Sequence, residues 1–357
     1  MKTACVAGIL GQDGAFLAKL LLEKGYQVIG LHRRYSTPNY WRLEELDLMN
    51  HERLSLKEGD ICDNHFMTQL IMRQKFDEFY NTSAMSHVGS SFDCPDYTME
   101  VNGNAVIGML EAIRQYSPHT KFYQCSTSEL FGNNFTEIDG RRVQNEETPF
   151  APASPYSVAK MTAHYGVRLY REAYGLFAVA GILHNHDGPL RGDNFLTRKV
   201  TKWIAKLVES KKGSYLHSVR FDKDSIVLCK EAGVSSFPKL KLGNLDSVRD
   251  IGSSQDYVEA MWLMLQQKTP TDYVIGTGVP TKMSDFVSMA FEAAGIKDWE
   301  NYVEIDKSLF RVSEVNYLCA DASKAEKELG WKPKTTVKEL ARMMVEADIK
   351  RVMKQWL

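Results

Sequence analysis

The sequence Gly8-Ile9-Leu10-Gly11-Gln12-Asp13-Gly14 directly follows the short apolar run Thr3–Ala7. That run is too short for a helix and is typical of a buried parallel strand. Apolar residues then recur at helical spacing over residues 16–21, Gly25 ends the helix, and residues 26–31 form a second apolar run. A strand, a glycine turn, a helix and a second strand form the unit that places a pyrophosphate at a helix N-terminus. The stretch therefore predicts a dinucleotide-binding α/β domain.

Strand and helix patterns keep alternating after this unit, and polar residues follow the ends of the later strands. These polar positions are Asp60, residues 82–86, residues 127–129 and residues 185–187. In open parallel sheets, ligands bind outside the carboxyl ends of the strands. We therefore expect a Rossmann-type doubly wound parallel sheet with a ligand site along that edge, and a smaller mixed α/β domain that binds substrate.

The end of the second strand discriminates between the two nicotinamide dinucleotides. A site for NAD usually has an acidic residue there, which accepts a hydrogen bond from the ribose 2′-hydroxyl. This chain has His32-Arg33-Arg34 instead. Guanidinium groups bind phosphate well, so the sequence predicts NADP as the cofactor. The alternative is that both arginines face only solvent or a neighbouring subunit.

A second stretch, Ser154-Pro155-Tyr156-Ser157-Val158-Ala159-Lys160, is typical of a helix start. Ser154 suits the N-cap position, and Pro155 suits the first helical position. Tyr156 and Lys160 then share one helix face, where the ammonium is expected to lower the pKa of the phenol. A phenolate can take a proton from a sugar hydroxyl while hydride leaves the same carbon. The alternative is an ordinary pair on a solvated helix face.

Composition excludes several other classes of protein. The 357 residues carry a formal net charge of -1 and are 44% hydrophobic and 25% charged, which is ordinary for a globular protein. A charge near zero gives no reason to expect nucleic acid or a membrane surface as a partner. No apolar run approaches the length of a spanning helix, and the N-terminus is a strand. The 6 cysteines form no Cys-x-x-Cys pair, so we expect no metal site and a cytoplasmic location.

These segments together resemble the extended short-chain dehydrogenase/reductases, and within them the GDP-mannose 4,6-dehydratase family. The most specific segment is Ser126-Thr127-Ser128-Glu129. Dehydratases that resemble the dTDP-glucose enzyme carry Asp-Glu where this chain has Ser128-Glu129, and UDP-sugar 4-epimerases lack the carboxylate pair. Other matching segments are Gly8 to Gly14, Arg33-Arg34, Gly59-Asp60, Ala84 to Val88, Ser154 to Lys160, Asn185-His186, Thr197 to Lys199 and Arg249-Asp250.

The resemblance implies a redox-neutral dehydration of a GDP-sugar, most simply of GDP-mannose. By it, Tyr156 removes the 4-hydroxyl proton while hydride passes from C4 to NADP⁺, and Lys160 holds the nicotinamide ribose. The new ketone acidifies the C5 proton, which Glu129 removes. The C6 hydroxyl leaves as water, assisted by Thr127 or Ser128, and hydride returns to C6.

The resemblance and the strand ends together imply two sets of binding residues. The cofactor set is Gly8, Gly11, Gln12, Asp13, Gly14, Arg33, Arg34, Asp60, Ile61, Ser83, Ala84, Ser86, Tyr97, Tyr156, Lys160, Leu183, His186 and Arg191. The substrate set is Ser86, Thr127, Glu129, Asn185, Lys199, Arg249, Arg311 and Glu314. We expect residues 1–185 to form the NADP-binding domain, to which residues 245–275 and 313–325 return. The sugar-nucleotide domain then comprises residues 186–244, 276–312 and 326–357.

Several positions depart from the family pattern, mostly in the substrate half. They include His184 and the sequence Ile251-Gly252-Ser253-Ser254. These departures leave a related substrate such as a GDP-heptose open. An epimerase or a C4 dehydrogenase of the same family, and a non-catalytic NADP-binding protein, are further alternatives. The long segment 213–238 predicts a hairpin. The resemblance also implies self-association, as a dimer or tetramer, because in the family the loop carrying Arg33 and Arg34 meets a neighbour's cofactor.

Overall fold

The structure is a computed structural model, and it describes residues 1–211, 216–230 and 233–354. The β-strands are β1 Thr3–Ala7, β2 Gln27–His32, β3 Leu54–Glu58, β4 Glu78–Asn81, β5 Lys121–Cys125, β6 Thr136–Ile138, β7 Arg141–Val143, β8 Ala178–Leu183, β9 Asn185–Asp187, β10 Leu216–Phe221, β11 Ser225–Lys230, β12 Gly233–Pro238, β13 Leu240–Leu242, β14 Val248–Ser253, β15 Tyr273–Ile275, β16 Pro280–Lys282 and β17 Val303–Ile305.

Helices connect most of these strands. The α-helices are α1 Gln12–Glu23, α2 Trp41–Glu45, α3 Asn64–Gln74, α4 Val88–Asp93, α5 Pro95–Met99, α6 Ala105–Tyr116, α7 Pro155–Tyr174, α8 Leu196–Ser210, α9 Ser254–Gln266, α10 Met283–Ala293, α11 Ser323–Leu329 and α12 Val337–Lys354. None of the helices in the described ranges is long and apolar enough to cross a membrane.

The main sheet has seven strands in the order β15-β8-β5-β4-β1-β2-β3. Every neighbouring pair in it is parallel. Helices α1, α9 and α11 pack on one face, and α3, α6 and α7 pack on the other. Strands buried from both sides must be apolar throughout, which explains the continuous apolar runs β1 and β8. The predicted doubly wound parallel sheet is confirmed.

A second apolar core lies beside the main sheet, built mainly from α8, α10 and α12 with strands of smaller sheets. The predicted hairpin is a three-stranded antiparallel sheet, in which β11 pairs with both β10 and β12. Residues 213–215 and 231–232 of that predicted segment lie outside the described residues. The division into a cofactor domain and a sugar-nucleotide domain at the boundaries given above remains our proposal.

Candidate active site

A cavity of about 590 Å³ opens at the carboxyl ends of the central strands, facing the second core. Its walls come from the glycine turn after β1, the segments after β4 and β5, the start of α7, and residues 241–249 and 309–314. Parallel strands bring their carboxyl ends to one edge, which is why these distant segments converge. Among the described residues, every predicted site residue lines this cavity except Arg34.

The glycine turn brings the chain close to itself below the start of α1. Gly8 has a φ of +86°, and a Cβ at Gly14 would lie 2.3 Å from the Gly8 carbonyl oxygen, so neither position accepts a larger residue without distortion. Gly11 is the N-cap of α1 and has no side-chain cap. The first amides of α1 are therefore free to bind a phosphate at the positive end of the helix.

Asp13 and His186 form a hydrogen-bonded ion pair across the cavity floor. His186 Nε2 lies 2.8 Å from Asp13 Oδ2, and His186 Nδ1 donates to the His184 carbonyl oxygen at 2.8 Å. Ser254 also donates to Asp13, at 2.6 Å. This pairing lowers the pKa of Asp13 and raises the pKa of His186, although burial opposes both charges. The two predicted cofactor residues thus bind each other and tie α1 to β9.

Arg33 and Arg34 lie in different environments. Arg33 Nη1 donates to the Tyr97 hydroxyl at 3.1 Å, and the guanidinium lies over the Tyr35 ring at 5.1 Å. Arg34 is exposed and lies outside the cavity. Of the two arginines, Arg33 alone lines the cavity. The prediction that Arg34 belongs to the cofactor site of the same chain is not supported by this geometry.

The remaining cofactor candidates lie on both sides of the glycine turn. Asp60 and Ile61 follow β3, and the Asp60 carboxylate accepts a hydrogen bond from the Cys62 amide at 3.0 Å. On the other side, Arg191 forms an ion pair with Asp187 at 2.7 Å and its guanidinium lies over the Phe195 ring at 3.6 Å. Arg191 therefore reaches the cavity already held by two neighbours. The other members of this group line the cavity after β4 and β8: Ser83, Ala84, Ser86 and Leu183.

Tyr156 and Lys160 occupy the first turns of α7, as predicted. Ser154 and Ser157 form a capping box, and the Lys160 ammonium donates to the Cys125 carbonyl oxygen at 2.8 Å. The ammonium lies 5.9 Å from the centre of the Tyr156 ring. In this structure the pKa of Tyr156 is raised, chiefly by burial, with a smaller opposing effect from the Thr127 hydroxyl. The expectation of a lowered phenol pKa was wrong for this form of the protein, because burial outweighs the Thr127 hydroxyl and the Arg191 charge, which lower the pKa.

Glu129 is 7% exposed and lies on a short 3₁₀ helix, Ser128–Phe131, which Thr127 caps. The Thr127 hydroxyl accepts a hydrogen bond from the Glu129 amide at 3.2 Å. One carboxylate oxygen of Glu129 accepts a hydrogen bond from Arg311 Nη1 at 3.2 Å. This arginine was predicted to bind the substrate, and in the present structure it contacts the candidate base.

The other substrate candidates surround this contact. Arg249 is 5% exposed and pairs with Glu314 at 3.4 Å. Lys199 is exposed at the cavity, and no ion pair holds its ammonium among the residues that are described. The neighbouring Arg198 turns inward to Asp348 of α12, at 2.8 Å. The helix thus presents one cation to the cavity and buries the other.

Two histidines at the cavity were missing from the predicted site. His87 follows the polar end of β4 and caps α4 with its side chain. His184 is 1% exposed, has no hydrogen-bond partner for either ring nitrogen, and burial lowers its pKa to about 4. The position of His87 after a strand end was the available signal in the sequence. For His184 there was none, because burial of its ring depends on the packed fold.

Comparison with known proteins gives a consistent result over nearly the whole chain. A family model described as GDP-mannose 4,6 dehydratase matches residues 5–224 and 213–344. GDP-mannose 4,6 dehydratase 1 of Arabidopsis thaliana is 41% identical over 356 residues, covering 98% of this chain and 90% of that protein. The GDP-mannose 4,6-dehydratase of Sinorhizobium fredii is 40% identical over 369 residues, covering 98% and 97%. The fold is similar to that of dTDP-glucose 4,6-dehydratase from Bacillus anthracis in complex with NAD, with a TM-score of 0.78, 20% identity, and coverage of 100% and 98%.

Proposed function

The chain belongs to the GDP-mannose 4,6-dehydratase family, and from that premise we propose that it converts GDP-mannose to GDP-4-keto-6-deoxymannose. The observation that carries the proposal is the placement of two buried groups on one cavity. The Tyr156 phenol and the Glu129 carboxylate both line the space that begins at the glycine turn. A base for the 4-hydroxyl and a second base for C5 are what a 4-keto elimination requires.

We propose that the nicotinamide dinucleotide is NADP, which when bound would supply the hydride acceptor for C4 and the hydride donor for C6. The free amides at the start of α1 suit its pyrophosphate, and Arg33 suits a 2′-phosphate. In support of NADP, β2 ends in His32 where an NAD site usually has an acidic residue. The alternative cofactor is NAD, which is bound in the Bacillus anthracis structure. Titration with both dinucleotides distinguishes the two.

Tyr156 takes the proton from the substrate's 4-hydroxyl, and Lys160 holds the ribose of the cofactor. Glu129 removes the C5 proton and delivers it to the departing C6 hydroxyl, with the hydroxyl of Thr127 or Ser128 assisting, so that water leaves. In the closing reduction, Tyr156 would give the proton that it took from the 4-hydroxyl to C5. Both bases end in their starting states, and atoms and charges balance.

We propose that the cations of the second half bind the GDP moiety of the substrate. Lys199 is available without rearrangement, whereas Arg249 and Arg311 are paired with Glu314 and Glu129. A diphosphate can compete for these guanidinium groups through bidentate hydrogen bonds. Asn185 and Ser86 line the same cavity and suit hexose hydroxyls, while Glu314 can accept from the ribose.

Self-association and a cytoplasmic setting remain part of the proposal. An exposed stripe on α7, formed by Val158, Tyr165 and Leu169, supports burial of this face against a second copy. The exposed Arg34 supports an additional contact from the neighbouring loop. All cysteines of the chain are free thiols, which is typical of a reducing compartment.

The test is incubation of the purified protein with GDP-mannose and NADP, followed by mass spectrometry and NMR of the sugar nucleotide. We expect loss of one water, a 4-keto-6-deoxy product and no net accumulation of NADPH. Glu129→Gln should lower the dehydration rate about 10²-fold or more while C4 oxidation survives. The matched control is Glu137→Gln, at an exposed position on β6, which should keep full activity. If wild-type protein forms no product from GDP-mannose, or Glu129→Gln dehydrates at the wild-type rate, the proposal is wrong.

A further inference from the structure

His87 is a cavity-lining residue that the predicted site did not include. It lies between the end of β4 and the start of α4, and its ring meets the ring of Phe195 edge-on at 5.8 Å. Arg311, Lys199 and Arg191 line the same cavity, and their charges act on the imidazole. The ring is therefore well placed to contact whatever these cations bind.

The hydrogen bonds of His87 establish which ring nitrogen carries its proton. The backbone amide of Ser90 donates to His87 Nδ1 at 3.1 Å, and the Ser90 hydroxyl lies 2.8 Å from the same atom. A backbone amide can only donate, so Nδ1 must present its lone pair. A neutral imidazole with an unprotonated Nδ1 carries its hydrogen on Nε2. The cap of α4 thus makes Nε2 a hydrogen-bond donor.

The surroundings keep this ring neutral. Burial lowers the pKa of His87, and the charges of Arg311, Lys199 and Arg191 lower it further. Both effects favour the neutral ring, in which Nε2 is the donor. Within residues 1–211, 216–230 and 233–354, no group accepts a hydrogen bond from it.

The helix that holds His87 is attached to the catalytic helix. The Tyr156 amide donates to the Ser91 hydroxyl at 3.2 Å, and that hydroxyl donates to the Val88 carbonyl oxygen at 2.6 Å. Through α4, the donor at His87 is held in a constant position relative to the Tyr156 end of α7. A ligand atom bound by His87 would therefore be held at a fixed position relative to the Tyr156 phenol.

We propose that His87 Nε2 donates a hydrogen bond to a diphosphate oxygen of the bound sugar nucleotide, and so determines where the sugar lies against Tyr156. The inference rests on the proposed function and adds a specificity-determining residue to it. An anionic oxygen fits the donor because three cations line the same cavity, and Lys199 among them has no ion-pair partner within the described residues. A neutral donor adds a directed contact there without adding charge repulsion among the cations.

The experiment separates the donor from the helix cap by comparing two variants. His87→Ala removes both functions, whereas His87→Ser keeps an oxygen that can cap α4 but cannot reach the position of Nε2. Binding of GDP is measured by calorimetry and turnover of GDP-mannose by product formation, each beside thermal unfolding and NADP binding. We expect both variants to bind GDP about tenfold or more weakly, because a hydrogen bond to a charged group is lost. Only His87→Ala should also unfold at lower temperature, and NADP affinity should be unchanged in both.

Each outcome bears on a different statement. If His87→Ser binds GDP as tightly as the wild-type protein, His87 is only a cap and the inference is overturned. If GDP binding is intact in both variants and only turnover falls, the hydrogen bond does not go to the diphosphate and the inference is likewise overturned. If the wild-type protein binds GDP through His87 but forms no dehydrated product, the proposed function fails while the binding role stands. Should His87→Ala fail to fold, the serine variant alone decides.

Discussion

At the scale of single residues, Arg33 and Arg34 show how one step along the chain changes a residue's environment. The Arg33 guanidinium is held at the cavity by the Tyr97 hydroxyl and the Tyr35 ring. Arg34 has the same charge but lies exposed outside the cavity. The chemistry of the side chain is therefore insufficient to assign a cofactor contact, and the direction in which the backbone presents it is decisive.

This difference predicts the effect of the two arginines on cofactor choice. Arg33→Ala should weaken NADP binding by about 1.5–3 kcal/mol, because charged hydrogen bonds to a 2′-phosphate are lost, and should leave NAD binding nearly unchanged. Arg34→Ala is the matched control, with little expected effect on either cofactor. Fluorescence titration of both variants with NADP and NAD provides the measurement. Equal losses in the two variants would instead indicate that Arg34 reaches a cofactor in a neighbouring subunit.

At the scale of elements, the ion pair between Asp13 and His186 joins the start of α1 to β9. His186 also stacks on the Tyr257 ring, with ring centres 4.8 Å apart. Its Nδ1 hydrogen is given to a carbonyl oxygen and its Nε2 faces a carboxylate, so the ring carries both protons. The pair therefore fixes the glycine turn at the start of α1 relative to the second half of the site.

The pair makes stability depend on pH in a defined direction. The folded-state pKa of His186 is raised, so its contribution is complete below its ordinary pKa of about 6.5 and is lost as pH rises through the raised value. The pKa of Asp13 is lowered, so its contribution is complete above about pH 4 and is lost only in stronger acid. The pair should stabilise most between about pH 4 and pH 6.5.

Thermal unfolding of His186→Gln against the wild-type protein checks this window. We expect a loss of about 1–3 kcal/mol near pH 5.5 to 6 that shrinks at alkaline pH, because the wild-type imidazolium then loses the charge that the glutamine of the variant never has. His65→Gln, at an exposed position, should show no such pH-dependent difference. A difference for His186→Gln that stays constant from pH 5 to pH 9 would contradict the ion pair.

At the scale of the whole molecule, α2 joins the two halves of the chain. Arg42 donates to the carbonyl oxygens of Leu10 at 2.9 Å and Leu190 at 2.7 Å, linking the glycine turn to the substrate half. Arg351 of α12 bonds to Glu45 and to Asp348, and lies over the Trp41 ring at 5.2 Å. These contacts form a joint between α2, α12 and the glycine turn, and this joint holds the cavity walls together. The stability of the joint and the geometry of the site are therefore coupled.

Asp348 is the buried anion at this joint, 2% exposed, with Arg198, Arg351 and Thr201 bound to it at 2.7–2.9 Å. Asp348→Asn should destabilise the protein by about 3–5 kcal/mol, because it leaves buried guanidinium charge uncompensated. Glu346→Gln on the same helix is the control, since its pair with Arg342 is exposed and should contribute less than about 1 kcal/mol. Urea unfolding of both variants gives the comparison, and equal midpoints would contradict this account.

The sequence by itself determined the features that depend on local order along the chain. The glycine turn between β1 and α1, the alternation of strands and helices, and the shared face of Tyr156 and Lys160 all follow from residue spacing, and the structure has each of them. The family and the parallel sheet were likewise predicted and are confirmed. Local periodicity is strong in such segments because backbone geometry repeats every 2 or 3.6 residues.

Only the tertiary structure decided the contacts between distant segments and the charge states that follow from them. Arg311 reaches Glu129 across 182 positions, and Asp13 reaches His186 across 173. The raised pKa of Tyr156 and the proton position on His87 likewise depend on burial and partners. Solvation and Coulomb interactions are summed over everything that packs around a group, so they exist only once the whole chain has folded.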